Sequence, residues 1–135
     1  MAEASVHAGF PSPAQDYMSG GIDLNKELVR HPEATFFVRV VGDSMTEAGI
    51  SEGDVLVVDR SLEPRDGALA VCFLDGDFLV RRLRYGAKSS SGSRSTPPSV
   101  TLMAANPAYK PIKISPETDF SVWGTVTYII KPAAG

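Results

Sequence analysis

The sequence predicts a mostly β domain of seven or so strands, set in a barrel-like or strongly curved antiparallel arrangement. Three observations carry this. From Thr35 onward, short apolar runs rich in β-branched and aromatic residues follow one another. Gly, Pro, Asn and Asp punctuate them. And Asp75-Gly76 stands between two such runs, the strongest local hairpin signal, because both central positions of a type I′ turn need positive φ.

The elements follow in chain order. Residues 1–21, "MAEASVHAGFPSPAQDYMSGG", read as an extended arm, with Pro11 and Pro13 favouring polyproline-like backbone. In "IDLNKELVRHP", Asp23 can cap a short helix, Leu24 and Leu28 share a face, and Pro32 ends it. The strands expected next are "TFFVRVV", "DVLVVD", "GALAVCFL", "DFLVRRLRY", "SVTLMAAN", "YKPIKIS" and "DFSVWGTVTYIIK". In the last, Phe120, Val122, Gly124, Val126, Tyr128 and Ile130 alternate with a second set that holds Trp123 and Ile129. Both of its faces therefore need cover, either as a central strand or as part of a dimer surface. "GAKSSSGSRSTPP" between Tyr85 and Val100 reads as an exposed low-complexity loop. Residues 22–135 form the expected domain.

Composition narrows the function classes. With 135 residues, 43% of them apolar, the chain can build one real core. A net charge of −3 makes direct nucleic-acid binding weak or absent. Arg81, Arg82, Arg84, Lys88 and Arg94 form a run without acids, read first as a solvated hairpin end. Cys72 stands alone in an apolar run and suits a small core side chain, and neither His7 nor His31 has ligand-spaced neighbours. No metal and no cofactor is expected. No signal peptide or membrane span is apparent, so a cytoplasmic location is the default.

"FVRVVGDSMTEAGISEGDVLVVD" holds the residue of most interest, Ser44. One reading makes Ser44 the N-cap of a single turn, "SMTEAG", with Glu47 as its partner in a capping box, while Gly49 and Gly53 supply permissive backbone. The other makes it a nucleophile where a strand gives way to a turn. No Gly-x-Ser-x-Gly elbow is present, and no His/Asp pair is placed for a triad. A serine nucleophile without histidine needs another base, and a buried, neutral lysine is the known chemical alternative.

Beyond these fragments, "AGFPSPAQDY", "LNKELVRHPEATFFVRVVGDSM", "GISEGDVLVVDRS", "DGDFLVRRL", "MAANPAYKPIKIS" and "VWGTVTYIIK" resemble, in order and spacing, the self-cleaving UmuD/MucA proteins of SOS mutagenesis, relatives of the LexA catalytic domain. The resemblance implies the LexA/UmuD type of curved, partly barrel-like fold. It implies that Ser44 is the nucleophile of a Ser-Lys dyad and that Ala8-Gly9 is the scissile bond, with Phe10, Pro11 and Pro13 setting the path of the arm. It puts the family's lysine base at Arg81.

That departure matters. A buried lysine can fall from about 10 toward neutrality and accept a proton. Arginine starts above about 12 and stays charged. Arg81 can donate to Ser44 Oγ but cannot take its proton. Arg82 has the same defect, Lys88 adjoins a flexible tract, and His7 would travel with the arm. Arg81 is either natural, in a member with weakened cleavage, or a substitution that traps the uncleaved form. The resemblance further implies a homodimer, activation by a RecA–single-stranded DNA filament, and a UmuC-like Y-family polymerase as partner, with no membrane. An arm of eight residues before the bond holds no helix-turn-helix, which argues against a repressor. The alternative is a non-catalytic dimerisation module of a phage- or plasmid-type LexA-like regulator. An active endopeptidase of the signal-peptidase kind would want a membrane anchor and a usable lysine.

Overall fold

The computed structural model describes residues 21–86 and 99–134. The chain divides into two units, Met1–Arg30 and His31–Gly135. In the first, α1 spans Leu24–Leu28. Its start is the expected one: the Asp23 carboxylate accepts from the amides of Asn25 at 3.1 Å and Lys26 at 3.3 Å, two of the donors a helix start leaves unpaired.

The second unit opens with a single 3-10 turn at Pro32–Ala34 and then builds one antiparallel sheet. Its strands are β1 (Thr35–Arg39), β2 (Val55–Asp59), β3 (Leu69–Leu74), β4 (Asp77–Tyr85), β5 (Val100–Met103), β6 (Ile112–Ile114) and β7 (Phe120–Ile130). All seven lie within the apolar runs that announce them. The sheet is mostly β as expected but open rather than closed, in the order β1-β2-β7-β3-β4-β5-β6, so β1 and β6 are its edges. Chain neighbours pair everywhere except at the centre, where β7 inserts between β2 and β3. Asp75 and Gly76 form the β3–β4 turn with φ of 46° and 95°, and Leu74 pairs with Asp77 across it.

The alternation expected of β7 fails for a physical reason. The strand carries two irregularities, where Thr127 falls between the partners of Val57 and Val58 and Trp123 falls between those of Val71 and Cys72. Each extra residue flips the side chains beyond it to the other face. Gly124, Val126 and Ile129 thus pair with Val71, Val58 and Leu56 and face one core cluster, whereas Phe120 and Val122 face the other. The first cluster holds Met45, Ile50, Leu56, Val58 and Val71. The second holds Ala70, Cys72, Leu83 and Leu102. β3 feeds both by simple alternation, Leu69 and Val71 to one face and Ala70 and Cys72 to the other. Cys72 is the core side chain the sequence suggests, and burial pushes its thiol up to about 11.

β7 pairs with β3 over Phe120–Thr125 and with β2 over Thr125–Ile130, so Thr125 is the residue paired on both sides.

Candidate active site

Ser44 lies in the excursion that links β1 to β2. That excursion is closed at its base by two bonds, Val40 N–H to Asp54 O and Gly53 N–H to Val40 O, both 2.9 Å. Met45 and Ile50 anchor it in the core. A 3-10 turn does form here, but over Thr46–Ala48, with Met45 in the cap position and no side-chain cap bond. The capping box is therefore absent: Glu47 N–H donates to Ala105 O at 2.7 Å instead. Gly49 and Gly53 do adopt the positive φ the loop needs, 80° and 92°.

The segment after β5 straps the loop down. Ala105 N–H donates to Ser44 O at 2.8 Å, and Asn106 Nδ2 donates to Asp43 O at 2.8 Å. The Tyr109 hydroxyl donates to Asp43 Oδ1 at 2.6 Å. Main chain is thus held on both sides of Ser44, and its Oγ is left for another partner.

That partner is Arg81. Its Nη1 donates to Ser44 Oγ at 2.7 Å and to the carbonyl of Val80 at 2.8 Å. β4 places it, with Arg81 opposite Ala70 in register. The residue is only 7% exposed. Burial pulls the guanidinium below its ordinary value, against the opposing influence of Tyr109 and Cys72. The Tyr109 ring lies 5.7 Å from it. In the hydrogen bond to Ser44 the guanidinium is the donor, so the pair as it stands contains no base.

The expected basic run does not exist as one solvated patch. Arg81 is buried in the site, and Arg82 Nη1 donates to Gly67 O at 2.7 Å. Lys88 and Arg94 lie outside the described residues, as do His7, the Ala8-Gly9 bond and Phe10, Pro11 and Pro13.

Ser44 and Arg81 face a cleft of about 380 Å³. Its walls are largely apolar, with Val38, Val40, Val41, Phe78 and Val80 among them, and Tyr109 also lines it. Phe78 is braced edge-on by Phe73 and Trp123, at ring separations of 5.3 and 5.2 Å. Trp123 is held in turn by Phe36 at 5.1 Å and by the Arg60 guanidinium 4.3 Å over its ring.

Two acids that bound β2 in sequence are structural. Asp54 is 3% exposed; its Oδ2 accepts from Lys131 Nζ and from Ser51 N–H, the latter at 2.8 Å. Lys131 also donates to Gly49 O at 3.0 Å and Ser51 Oγ at 3.2 Å, tying the end of β7 to the loop that carries Ser44. Asp59 meets His31 Nδ1 at 2.6 Å and accepts from Ser61 N–H at 2.8 Å and Ser61 Oγ at 2.6 Å. The Lys131 bond, with the Ser51 amide behind it, holds Asp54 below the ordinary carboxylate value. At Asp59 burial pushes upward, but the bonds from Ser61 and His31 outweigh it and the net is also lowered.

Carboxyls lowered in the fold stabilise it fully above their unfolded value, 3.8, and that contribution is lost as pH falls through their lower folded values. Melting temperature followed from about pH 5 to pH 2 should therefore fall less steeply in Asp54→Asn and Asp59→Asn than in the parent chain. Equal slopes would refute the assignment.

A family model described as Peptidase S24-like matches residues 1–127. The chain belongs to the S24 peptidase family. It is similar to Protein SamA of Salmonella typhimurium, 42% identical over 123 residues that cover 91% of this chain and 78% of SamA. Protein MucA of Escherichia coli is 40% identical over 124 residues, covering 91% and 77% of the two chains. The LexA repressor of Dechloromonas aromatica is 36% identical over 130 residues, covering 96% of this chain and 59% of the repressor.

For this S24 member, sequence reasoning singled out the Ser44–Arg81 pair, which the fold brings into contact. It missed Ala105, Asn106 and Tyr109, whose contribution crosses the sheet. The signal for them was the turn chemistry of "NPAY": Asn106 Oδ1 accepts from Ala108 N–H at 2.9 Å and so shapes the strap. Among the described residues no group of three or more His, Cys, Asp and Glu side chains could hold a metal ion. No helix among them is long and apolar enough to cross a membrane.

Proposed function

We propose that this chain is a UmuD-like accessory subunit of an error-prone Y-family DNA polymerase, acting in SOS translesion synthesis, whose self-cleavage is weak or absent. The resemblance to UmuD/MucA proteins supports the pathway. One geometric observation carries the rest: the side chain that reaches Ser44 Oγ, at 2.7 Å, is a guanidinium. In relatives with lysine at this position, a neutral amine takes the serine proton as Oγ attacks the carbonyl of the scissile bond. The amine then returns that proton to the leaving amide nitrogen. Arg81 holds the hydroxyl in place and supports neither transfer. The bond at issue is Ala8-Gly9, and the stimulus is a RecA–single-stranded DNA filament that supplies no nucleophile of its own.

The test is mass analysis of the chain incubated with the activated filament, and separately at high pH. The mass should remain that of the intact protein. Rapid loss of residues 1–8 would overturn the proposal. The same reading makes the protein a homodimer in the cytoplasm. Sedimentation at micromolar concentration should give twice the chain mass of 14.4 kDa, and a strict monomer would refute it.

A further inference from the structure

We infer that the cleft beside Ser44 is a receptor for the C-terminal carboxylate of an extended peptide. The inference deepens the proposed function, since it rests on reading this cleft as the place where the chain being cut would lie.

Arg81 is a buried cation with no ion-pair partner among the described residues. The ion pairs among the described residues are His31–Asp59 and Lys131–Asp54, and neither includes it. Asp43 also lines the cleft but forms no salt bridge with Arg81; its Oδ1 accepts from the Tyr109 hydroxyl at 2.6 Å. A guanidinium has five N–H donors. The two on Nη1 go to Ser44 Oγ and Val80 O. Nε and Nη2 have no acceptor among the described residues, and none of these nitrogens is sealed from solvent without a partner. Arg81 lines the cleft, and its Nε–Nη2 edge is the part of the guanidinium left for a ligand there. It is the edge that grips a carboxylate through two parallel bonds.

A buried cation without a counter-charge is costly, and an anion that enters the cleft relieves that cost. The walls select the kind of anion. Val38, Val40, Val41, Phe78 and Val80 offer an apolar surface, and Phe78 and Val41 are exposed. β1 is an edge strand whose continuation lines the same cleft, so a chain lying there can add its backbone to the sheet. The ligand that fits is an extended peptide with a single negative charge at its end. A lysine at position 81, neutral when it works as a base, would give such an end no lasting hold. An arginine does.

The probe is the octapeptide MAEASVHA, labelled at its N-terminus, with either a free or an amidated C-terminus. Its binding to the full chain is followed by fluorescence anisotropy near pH 7. Both forms carry the glutamate at the third position, so the amide arm reports any binding through a side-chain carboxylate. The free acid should bind about tenfold or more tightly than the amide. Arg81→Gln should reduce that preference to within about twofold, and Arg81→Lys, whose amine loses both the fork and the fixed charge in this buried site, should reduce it as well. Equal affinities for the two forms in the parent chain, no saturable binding of either, or a preference that survives Arg81→Gln would each overturn the inference. The two readings fail separately. If Arg81→Lys restores self-cleavage while acid and amide bind alike, the carboxylate receptor falls alone. If the parent discriminates acid from amide while Arg81→Lys never cleaves, the functional reading falls alone.

Discussion

Arg81→Lys is expected to raise the rate of self-cleavage at Ala8-Gly9 by about 10²–10⁴-fold, the range a positioned general base supplies. The change is small in shape. Arg81 Nη1 curls back to the carbonyl of the residue before it, Val80, so the side chain is not at full stretch and a shorter lysine still reaches Ser44 Oγ. The surroundings then do the rest. The site is buried, and among the described residues no carboxylate pairs with position 81. Burial without a counter-charge disfavours an ammonium and lowers its pKa, by up to about 3–5 units when burial is complete. That same pull on arginine still leaves it protonated, since it starts above about 12. The expected pH profile follows. The Arg81→Lys rate should climb as pH rises through the lowered lysine value and then level off, while the parent stays low over the same range. Ser44→Ala in the Arg81→Lys background should abolish the reaction. A folded Arg81→Lys protein that cleaves no faster than its parent would remove Ser44 from the role of nucleophile.

How much of this was legible in the sequence depends on whether each feature is local. The Asp75-Gly76 hairpin was, because two adjacent residues dictate the backbone that joins β3 to β4. The Asp23 cap was, for the same reason. The strap over Ser44 was not, since Ala105, Asn106 and Tyr109 reach it only after the sheet has formed. The capping box failed by one residue: the turn exists, but tertiary bonding to Ala105 captures the Glu47 amide that the box would have used. In β7 the pattern misled because strand alternation has no means of counting Trp123 and Thr127 as extra residues. Asp54 and Asp59 looked like polar ends of an apolar run. Their burial is visible only once Lys131 and His31 are placed beside them.

Gly124→Ala should destabilise the sheet unit by about 1–3 kcal/mol, the usual cost of forcing a methyl into a packed core. The position sits at the centre of the central strand, between the two irregularities of β7, and is fully buried. Its φ is not positive, so backbone strain plays no part and the effect is steric alone. A Cβ built there meets Val58 Cγ1 at 2.6 Å and the carbonyl oxygen of Asp59 at 3.3 Å. The first is closer than carbon atoms tolerate, and the second is backbone that is itself paired with β7. Relief requires β2 to move away from β7, which strains the ladder from Val55 to Asp59. For a unit of this size the cost corresponds to a fall in melting temperature of about 4–8 °C per kcal/mol. Ser121→Ala on the exposed side of the same strand is the control and should stay within about 0.5 kcal/mol. Val58→Ala identifies the clash. Alone it leaves a cavity in the first core cluster and destabilises, but combined with Gly124→Ala it makes room for the new methyl, so the double variant should be more stable than the sum of the two changes predicts, by about 0.5–3 kcal/mol. Simple additivity, or an unchanged melting temperature in Gly124→Ala, would mean that the Val58 side chain does not lie against Gly124 where β2 and β7 pair side by side. The shift in register that turns Val126 and Ile129 toward the core would then be wrong as well.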